Sequence, residues 1–361
     1  MAETLSNHKR PFELGLYHFV DNGSDPITGA RKEPAVVMRN LVESIELADQ
    51  TGLDVFAIGE HHREEFLASA PVVILGAAAA RTRNIRLSTA VTVLSSDDPV
   101  RVFESFATLD LLSNGRAEIM AGRGSFIESF PLFGYDLNDY NELFEEKLRL
   151  LAQLRETEKI TWSGRFRAPL NDLGIYPRPV QDKIPIWVAV GGTPESVVRA
   201  ASMGLPLALA IIGGMPERFA HLFDLYRRAS SEGGFDPTQI PLSLNSHGFI
   251  ADNTQEAVDA YYPGALIMRN KIGRERGWPP ATRDQLEQQR LINGPDFVGT
   301  PDEIIEKILF QHEIFNHQRF LMYIGNSAIE HEKIMHAIEL FGTKIAPVVR
   351  EEIEKRNQSQ S

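Results

Sequence analysis

One complete strand–helix–strand unit is visible in residues 54–94, DVFAIGEHHREEFLASAPVVILGAAAARTRNIRLSTAVTVL. Two apolar runs of strand length, DVFAIGE and IRLSTAVTVL, flank the helix-like segment PVVILGAAAARTRN. Nearly continuous apolar strands that alternate with helices are typical of a parallel sheet covered on both faces. The first run ends abruptly in Glu60, His61 and His62, so ionisable groups stand where a strand leaves the core.

The same alternation occurs eight times along the 361 residues. The other predicted strands are FELGLYHF (12–19), AEIMAGR (117–123), IPIWVAV (184–190), LPLALAII (205–212), IPLSLNSHGFI (240–250) and QRFLMYIG (318–325). Eight such units predict closure into a (β/α)8 TIM barrel. An open, doubly wound sheet is the alternative, but it usually has fewer units and a glycine-rich phosphate turn early in the chain.

Two insertions interrupt this alternation. Residues 158–183 lie between the fourth helix and the fifth strand, and residues 252–299 follow the seventh strand and include NKIGRERGWPPATRD. Structureless stretches of this length are uncommon in compact domains unless they form lids or binding loops. We therefore expect one domain over residues 1–361, in which the 252–299 segment is a mobile lid loop above the active face.

The composition limits the possible function classes. Lys and Arg number 37 against 49 Asp and Glu, and the formal charge of −12 disfavours nucleic acid and anionic membranes as partners. The absence of cysteine excludes disulfides, thiolate metal sites and a cysteine nucleophile. We see no secretion signal and no run of ~20 apolar residues that would span a bilayer. We expect a soluble, cytoplasmic protein.

In a barrel of this kind, chemistry takes place where the strands end at their C-terminal side. Those ends carry His18, Glu60–His62, Thr89–Val91, Arg123, Gly191–Thr193, Gly213–Gly214, Asn245, His247 and Tyr323. The Glu60–His62 run suits acid–base work, because an imidazole titrates near neutral pH. Zinc is an alternative, but there is no HExxH, and HEKIMH (331–336) has the wrong spacing, so we predict no metal site. A purely structural role for these histidines stays open.

Two neighbouring strand ends are candidates for anion binding. VAVGGTPES (188–196) places two glycines before a helix that starts at Pro194, and free N–H groups at a helix start bind phosphate. A well-capped helix without a ligand is the simpler interpretation. Arg123, in AGRGS (121–125), offers a planar fork that suits phosphate, or it pairs with an acidic neighbour. Because the fourth and fifth barrel strands are adjacent, one phosphate between Arg123 and Thr193/Ser196 accounts for both features.

The sequence resembles the bacterial luciferase-like, flavin-dependent monooxygenases. The similarity is carried by GEHH (59–62), residues 88–116, AGRG (121–124), GGTPESVVRAASMGLPL (191–207) and VGTPDEIIEKI (298–308), and it runs almost from end to end. It implies a (β/α)8 barrel that uses reduced FMN from a partner flavin reductase. With O2, through a C4a-peroxyflavin, such an enzyme oxygenates a small organic substrate. The resemblance also implies a homodimer.

The resemblance implies roles for single residues of the reaction centre. His61, next to Glu60, corresponds to the family's active-site histidine in its Glu-His-His run. Ala90 and Val91 stand where some members have a non-prolyl cis peptide beneath the flavin ring. Gly122 occupies the place of the reactive cysteine of the light-emitting members, which argues against bioluminescence but not against flavin chemistry.

The resemblance also implies a phosphate site and leaves alternatives open. The implied ligands of the flavin phosphate are Arg123, Gly192, Thr193 and Ser196, and residues 263–295 resemble the family's mobile loop over the active site. Hydride transfer with the deazaflavin F420 is the second enzymatic interpretation, because F420 also carries a phosphate on a ribityl chain. A non-catalytic flavin-binding protein is a third, and a metal-dependent hydrolase ranks last.

Overall fold

The structure is a computed structural model that describes residues 11–25 and 28–359. The strands are β1 (Glu13–His18), β2 (Val55–Ile58), β3 (Arg86–Thr89), β4 (Thr92–Val93), β5 (Ile119–Gly122), β6 (Lys159–Trp162), β7 (Leu170–Gly174), β8 (Ile186–Val190), β9 (Leu207–Ala210), β10 (Leu242–Ile250), β11 (Phe297–Gly299) and β12 (Arg319–Ile324). The α-helices are α1 (Pro34–Gln50), α2 (Pro71–Ala79), α3 (Pro99–Ser113), α4 (Ser129–Phe133), α5 (Tyr140–Glu156), α6 (Pro194–Ser202), α7 (Ala220–Glu232), α8 (Thr254–Arg276), α9 (Arg283–Arg290), α10 (Pro301–Phe315), α11 (His331–Leu340) and α12 (Ala346–Ser359).

Parallel ladders join the strands into a nearly closed barrel. Their order is β3, β2, β1, β12, β10, β9, β8, β5, β4, and a parallel bridge between Leu87 and Ala117 spans the remaining gap between β3 and β5. β3 and β4 follow each other across residues 90–91 and together supply one barrel stave, which leaves eight staves. The predicted (β/α)8 barrel is confirmed, and an open doubly wound sheet is not formed.

The apolar residues divide into two cores. A large core packs between the outer face of the barrel and the surrounding helices. A small one fills the barrel interior with Tyr17, Val55, Ala57, Met120, Trp187, Ala208, Leu321 and Tyr323. Along each strand, successive side chains point alternately into and out of the barrel, so the near-continuous apolar runs of the sequence supply both cores at once.

A buried ion cluster closes the N-terminal end of the barrel. Arg319, which is 2% exposed, donates to Glu118 at 2.6 Å and 3.1 Å and to Glu13 at 2.6–2.7 Å. Its guanidinium also lies 4.1 Å from the ring centroid of Trp187. Burial lowers the pKa of Arg319, but the carboxylates of Glu118 and Glu13 more than offset this and raise it above its ordinary value, so the cation is retained.

Both insertions contain regular structure. In residues 158–183, β6 and β7 pair as an antiparallel hairpin. Residues 252–299 form α8, α9 and β11, so the prediction of a loop was wrong there, although mobility stays a prediction. The side chain of Asn253 caps α8 by accepting from the N–H of Glu256 at 3.0 Å, and Thr282 caps α9 with Gln285 in a capping box. These caps start helices in a stretch whose polar composition suggested a loop, and α8 continues through Pro263.

None of the helices within residues 11–25 and 28–359 combines the length and the apolar character that crossing a bilayer requires. The longest of them, α8, spans 23 residues and carries charged side chains along its length.

Candidate functional site

The C-terminal mouth of the barrel has two unlike halves. At the link from β3 to β4 and at the ends of β5, β8 and β9 the side chains are small, namely Ala90, Val91, Gly122, Ala189 and Ala210. At the ends of β1, β2, β10 and β12 they are rings, namely His18, Phe19, His61, His247 and Tyr323. The three alanines are partly exposed, so the small half leaves accessible space. Small side chains on one side and aromatic rings on the other suit a flat, largely apolar ligand.

The Ala90–Val91 peptide bond is cis, which is the feature that the resemblance implied at this place. The N–H of Ala90 donates to the carbonyl of Ile58 at 2.9 Å, and the carbonyl of Val91 accepts from the N–H of Glu60 at 3.1 Å. Opposite this bond, a Cβ on Gly122 would lie 2.6 Å from Cγ2 of Val91. Any side chain at position 122, including a cysteine, would displace Val91 and the floor that it forms.

Glu60 is buried, and both of its carboxylate oxygens are engaged. Oε2 accepts from the N–H of Val93 at 2.9 Å, and Oε1 lies 2.8 Å from Nε2 of His62. Together with the backbone bond to Val91, these contacts hold the end of β2 against β4. They favour a positioning role for Glu60, whereas proton transfer by this residue stays a prediction.

His61 presents a ring nitrogen without a protein partner. Its main chain is fixed by the backbone N–H, which donates to the carbonyl of Ala68 at 2.9 Å. The imidazole packs among Phe19, Phe66 and Phe126, with ring-centroid separations of 4.9, 4.3 and 5.2 Å. Nε2 is buried and makes no hydrogen bond. A buried polar atom without a partner is costly, which indicates that a ligand group completes the site.

Three imidazoles at the mouth are kept neutral by their surroundings, and the first is His18, whose pKa burial lowers to about 4. Burial, and then the charges of His62 and Arg63, lowers the pKa of His61 to about 3. Burial, and then the charge of Arg269, lowers the pKa of His247 to about 3. A neutral imidazole has one N–H donor and one nitrogen acceptor, so each ring can hydrogen-bond to an uncharged group or take up a proton.

The ring-rich half is ordered by one buried hydrogen bond. The hydroxyl of Tyr323 donates to the carboxylate of Asp21. Burial raises the pKa of Asp21 to about 6, against the opposing effect of this hydrogen bond. Phe19 stacks on Tyr323 at a centroid separation of 4.9 Å, and His247 packs on the same ring at 4.8 Å. The side chains that face the small half are thereby held in place.

The start of α6 differs from an ordinary capped helix. Thr193 is the N-cap and Pro194 the first helical residue, as predicted, but the Thr193 side chain accepts no capping hydrogen bond. In the similar motif at the start of α10, the hydroxyl of Thr300 accepts from the N–H of Glu303 at 3.4 Å, and Glu303 bonds back at 2.8 Å. Pro194 has no N–H and the N–H of Ser196 donates to the carbonyl of Thr193 at 3.1 Å, so in the first turn of α6 the N–H of Glu195 is left for an anion, which favours the phosphate interpretation.

Arg123 lies beside that turn, at the end of the adjacent strand. Because β5 pairs with β8, Arg123 and Gly192 are at neighbouring strand ends. The guanidinium donates to Oδ1 of Asn141 at 2.6 Å and lies 5.0 Å from the centroid of Tyr140, which holds it against the start of α5. Gly192 has a φ of +114°, and Ser196 is buried.

The end of α8 covers the histidine side of the mouth. Arg63 contacts Glu275 through two hydrogen bonds of 2.6 and 2.9 Å, and Arg276 donates to the carbonyl of Ser125 at 2.8 Å. The guanidinium of Arg63 also lies 4.5 Å from the centroid of Phe126, the ring that packs on the candidate catalytic imidazole. The helical segment therefore closes over the site from one side.

The predicted site residues form two groups. Glu60, His61, Ala90 and Val91 meet at one part of the mouth, and Arg123, Gly192, Thr193 and Ser196 lie at the adjacent ends of β5 and β8. Sequence reasoning noted His247 and Tyr323 at strand ends without assigning them, and it missed Phe19 and Phe126. Phe19 immediately follows β1, so its position was the available signal. Over the described ranges, no three His, Asp or Glu residues are grouped to hold a metal ion.

Comparison with known proteins agrees with this geometry. The family description "luciferase-like monooxygenase" matches residues 12–317. The chain belongs to the luciferase-like monooxygenase family. Members of this family include FMN-dependent and F420-dependent enzymes. Membership of this family supports the conclusion that the chain is an oxidoreductase.

Three solved structures are similar to this chain over most of its length. The monooxygenase RslO1 from Streptomyces bottropensis has a TM-score of 0.80 at 25% identity, covering 93% of this chain and 99% of its own. The oxygenating constituent of 3,6-diketocamphane monooxygenase of Pseudomonas putida, in complex with FMN, has a TM-score of 0.75 at 19% identity and covers 94% and 99%. An F420-dependent secondary alcohol dehydrogenase has a TM-score of 0.73 at 18% identity, with coverage of 94% and 99%. The last two similarities concern the fold alone.

Proposed function

We propose that this luciferase-like protein is an FMN-dependent monooxygenase that oxidises a small organic substrate with O2. The observation that supports this most is the buried Nε2 of His61, which lacks a hydrogen-bond partner and lies at the same barrel mouth as the small side chains of Ala90 and Gly122. A neutral imidazole in that position can accept a proton next to a flat cofactor without prior deprotonation, and the same proton can then be returned. Membership of a family of monooxygenases gives the reaction class.

The residues present fit an FMN molecule. The floor at Ala90 and Val91 is smooth because Gly122 carries no side chain, which leaves space for a ring system. The uncapped start of α6 after Thr193 and the guanidinium group of Arg123 offer N–H donors to a terminal phosphate. When bound, reduced FMN supplies the reaction with O2, which the protein side chains cannot perform.

The chain's own residues then have distinct tasks. Nε2 of His61 moves a proton at the reacting centre, and Glu60 holds the end of β2 in place through Val93. The helical segment α8–α9 acts as a lid that excludes water, with Arg63 and Glu275 fastening its end. We propose further that a separate flavin reductase supplies reduced FMN and that the protein works as a cytoplasmic homodimer.

The function is tested with oxygen. The anaerobic protein with reduced FMN is mixed with oxygenated buffer, and the flavin absorbance is followed by stopped flow. We expect oxidation of the bound flavin to be slower than that of free reduced FMN, and substrate to be oxygenated when added. Oxidation at the rate of free FMN would contradict the proposal and favour a protein that only binds flavin.

Hydride transfer with F420 is the second candidate, because an F420-dependent alcohol dehydrogenase shares the fold over 94% of this chain. The same open floor and phosphate donors would accept a deazaflavin. Titration of the protein with FMN and with F420 separates the two, since we expect the tighter binding with FMN. Tight F420 binding together with no oxygen consumption would reverse the assignment.

The phosphate site makes a prediction that does not require turnover. Arg123→Ala should weaken FMN binding about tenfold to a hundredfold, because one charge-assisted hydrogen bond to phosphate is worth about 1.5–3 kcal/mol. Riboflavin lacks the phosphate, so its affinity should not change. Fluorescence titration of both flavins measures the difference.

The control for this titration is Arg149→Ala. Arg149 is an exposed residue of α5 that pairs with Glu145, so its loss should affect neither flavin. An equal loss of FMN and riboflavin affinity in Arg123→Ala would show that Arg123 supports the fold of the site instead of the phosphate.

The fastening of the lid makes a second prediction. Arg63 is 11% exposed and contacts Glu275 of α8 and Glu128, at 2.6 and 2.7 Å, so Arg63→Ala removes one of the links between α8 and the mouth, which also include Lys271 with Glu65 and Arg276 with Ser125. We expect hydrogen exchange of the amides at the end of α8 to accelerate about tenfold or more, which corresponds to the loss of about 1.4 kcal/mol or more.

The control is Arg283→Ala, at an exposed 3.5 Å pair with Asp259, which should leave that exchange unchanged. If the amides exchange equally fast in both variants, Arg63 does not hold the end of α8 at the mouth.

A further inference from the structure

A second imidazole at the mouth has no use in the mechanism above. Successive residues of a strand point to opposite faces, so Ser243, Asn245 and His247 of β10 share the face toward the barrel interior. The hydroxyl of Ser243 donates to Oδ1 of Asn245 at 3.0 Å, and Nδ2 of Asn245 lies 3.8 Å from the sulfur of Met120. Nε2 of His247, the outermost of the three, is buried without a hydrogen-bond partner.

The surroundings of His247 are aromatic. Its ring lies 4.8 Å from the centroid of Tyr323, 6.1 Å from Phe19 and 6.3 Å from Tyr17. Phe19 is also a neighbour of the candidate catalytic imidazole, at 4.9 Å. The two histidines with unpartnered nitrogens therefore flank one phenyl ring, so a single small molecule lying on that ring can reach both.

The charged groups nearest to His247 are already paired. Arg269 of α8 donates to the carboxylate of Asp296 at 2.6 Å, and Asp21 accepts the hydroxyl of Tyr323. An ionised substrate group placed against this wall would lose its hydration and gain no opposite charge in return. An uncharged oxygen, by contrast, needs one hydrogen bond, which the imidazole can give or accept.

We propose that His247 is a substrate-binding residue, and that the substrate is an uncharged aromatic or apolar molecule whose single hydroxyl or carbonyl oxygen bonds to Nε2. The apolar body of the substrate lies on Phe19, Tyr17 and Tyr323, and the bonded oxygen directs the rest of the molecule toward His61. The proposal rests on the function proposed above, because it describes the substrate of the same site.

The test uses three probes that differ in one group: p-cresol, p-xylene and 4-methylbenzoate. Their affinities for the FMN-loaded protein are measured by ligand-observed NMR. We expect p-cresol to bind about threefold to tenfold more tightly than p-xylene, the ratio that one net hydrogen bond supplies, and the benzoate to bind more weakly than either. His247→Phe keeps the ring but removes the nitrogens, so the preference for p-cresol should disappear. His247→Gln keeps a polar group and should retain part of it.

The outcomes separate this proposal from the proposed function. FMN affinity and circular dichroism show that each variant is folded, and His247→Leu replaces His247→Phe if the latter is not. The substrate proposal is overturned if the preference for p-cresol survives the loss of the imidazole, or if the benzoate binds more strongly than p-cresol. In either case, unchanged FMN binding and oxygen reactivity leave the enzyme assignment intact. If the wild-type protein binds FMN but none of the probes, the proposed class is wrong. If it does not bind FMN at all, both proposals fail.

Discussion

His61→Ala is expected to lower kcat about 10²- to 10⁴-fold, the usual contribution of a positioned acid–base group. The imidazole contacts three phenyl rings, and its buried Nε2 has no hydrogen-bond partner among the described residues. FMN affinity should stay within about a factor of two, because the phosphate donors lie on other strands. Single-turnover kinetics with FMN bound beforehand separates the chemical step from binding.

The control for this variant is His336→Ala. His336 lies on α11, is half-exposed and pairs with Asp252 away from the mouth. Unchanged turnover in His61→Ala would remove His61 from the mechanism, and a parallel loss of FMN binding would assign it a structural role.

The pH profile provides an independent check on His61. Since its pKa is lowered to about 3, the imidazole is neutral above that pH, and kcat should show no inflection near the ordinary histidine pKa of about 6.5. If kcat falls as the pH is lowered through about 6, we assign that fall to protonation of Asp21, whose pKa is raised to about 6. In the variant Asp21→Asn the fall should then be absent.

The largest expected effect on stability is at the other end of the barrel. Arg319→Ala leaves the carboxylates of Glu118 and Glu13 next to each other with their cation removed, and Glu118 is buried. Breaking a buried ion pair from one side typically costs about 3–5 kcal/mol. We expect the free energy of unfolding, measured by urea titration, to fall by about that amount.

Two further variants serve as controls for the loss of stability in Arg319→Ala. Arg86 also faces Glu13, at 3.6 Å, but its side chain is 42% exposed, so Arg86→Ala should cost no more than about 1 kcal/mol. The double variant Arg319→Met with Glu118→Gln removes both charges and should recover most of the lost stability. If Arg319→Ala is no more destabilising than Arg86→Ala, the buried cluster does not stabilise the fold as described.

Much of the fold was accessible from the sequence, because the alternation of apolar strands with amphipathic helices is local. Each of the eight staves was found near its observed position, and Pro194 marked the start of α6 correctly. The 252–299 segment was misjudged for an equally local reason. Its polar composition and the Pro-Pro pair suggested a loop, whereas the caps at Asn253 and Thr282 and the packing of α8 on the barrel produced helices.

The candidate site was accessible only in part. The strand-end rule selected His61 and Arg123, because it requires only the order of elements. It did not show that both carboxylate oxygens of Glu60 are engaged, one with the N–H of Val93 and one with His62. Nor did it show that the side chain of Thr193 leaves α6 uncapped whereas Thr300 caps α10. Those properties depend on atoms from separate parts of the chain.

The eight βα units, the acidic balance, the lack of cysteine and the polar residues at the strand ends can all be read from the order of the residues. Which of those polar residues have hydrogen-bond partners depends on the folded chain. Burial of His61 and His247 beside Phe19 makes both imidazoles neutral and leaves one nitrogen of each unsatisfied. The physical reason is that desolvation and hydrogen bonding act between groups brought together by barrel closure, at distances that sequence spacing does not encode.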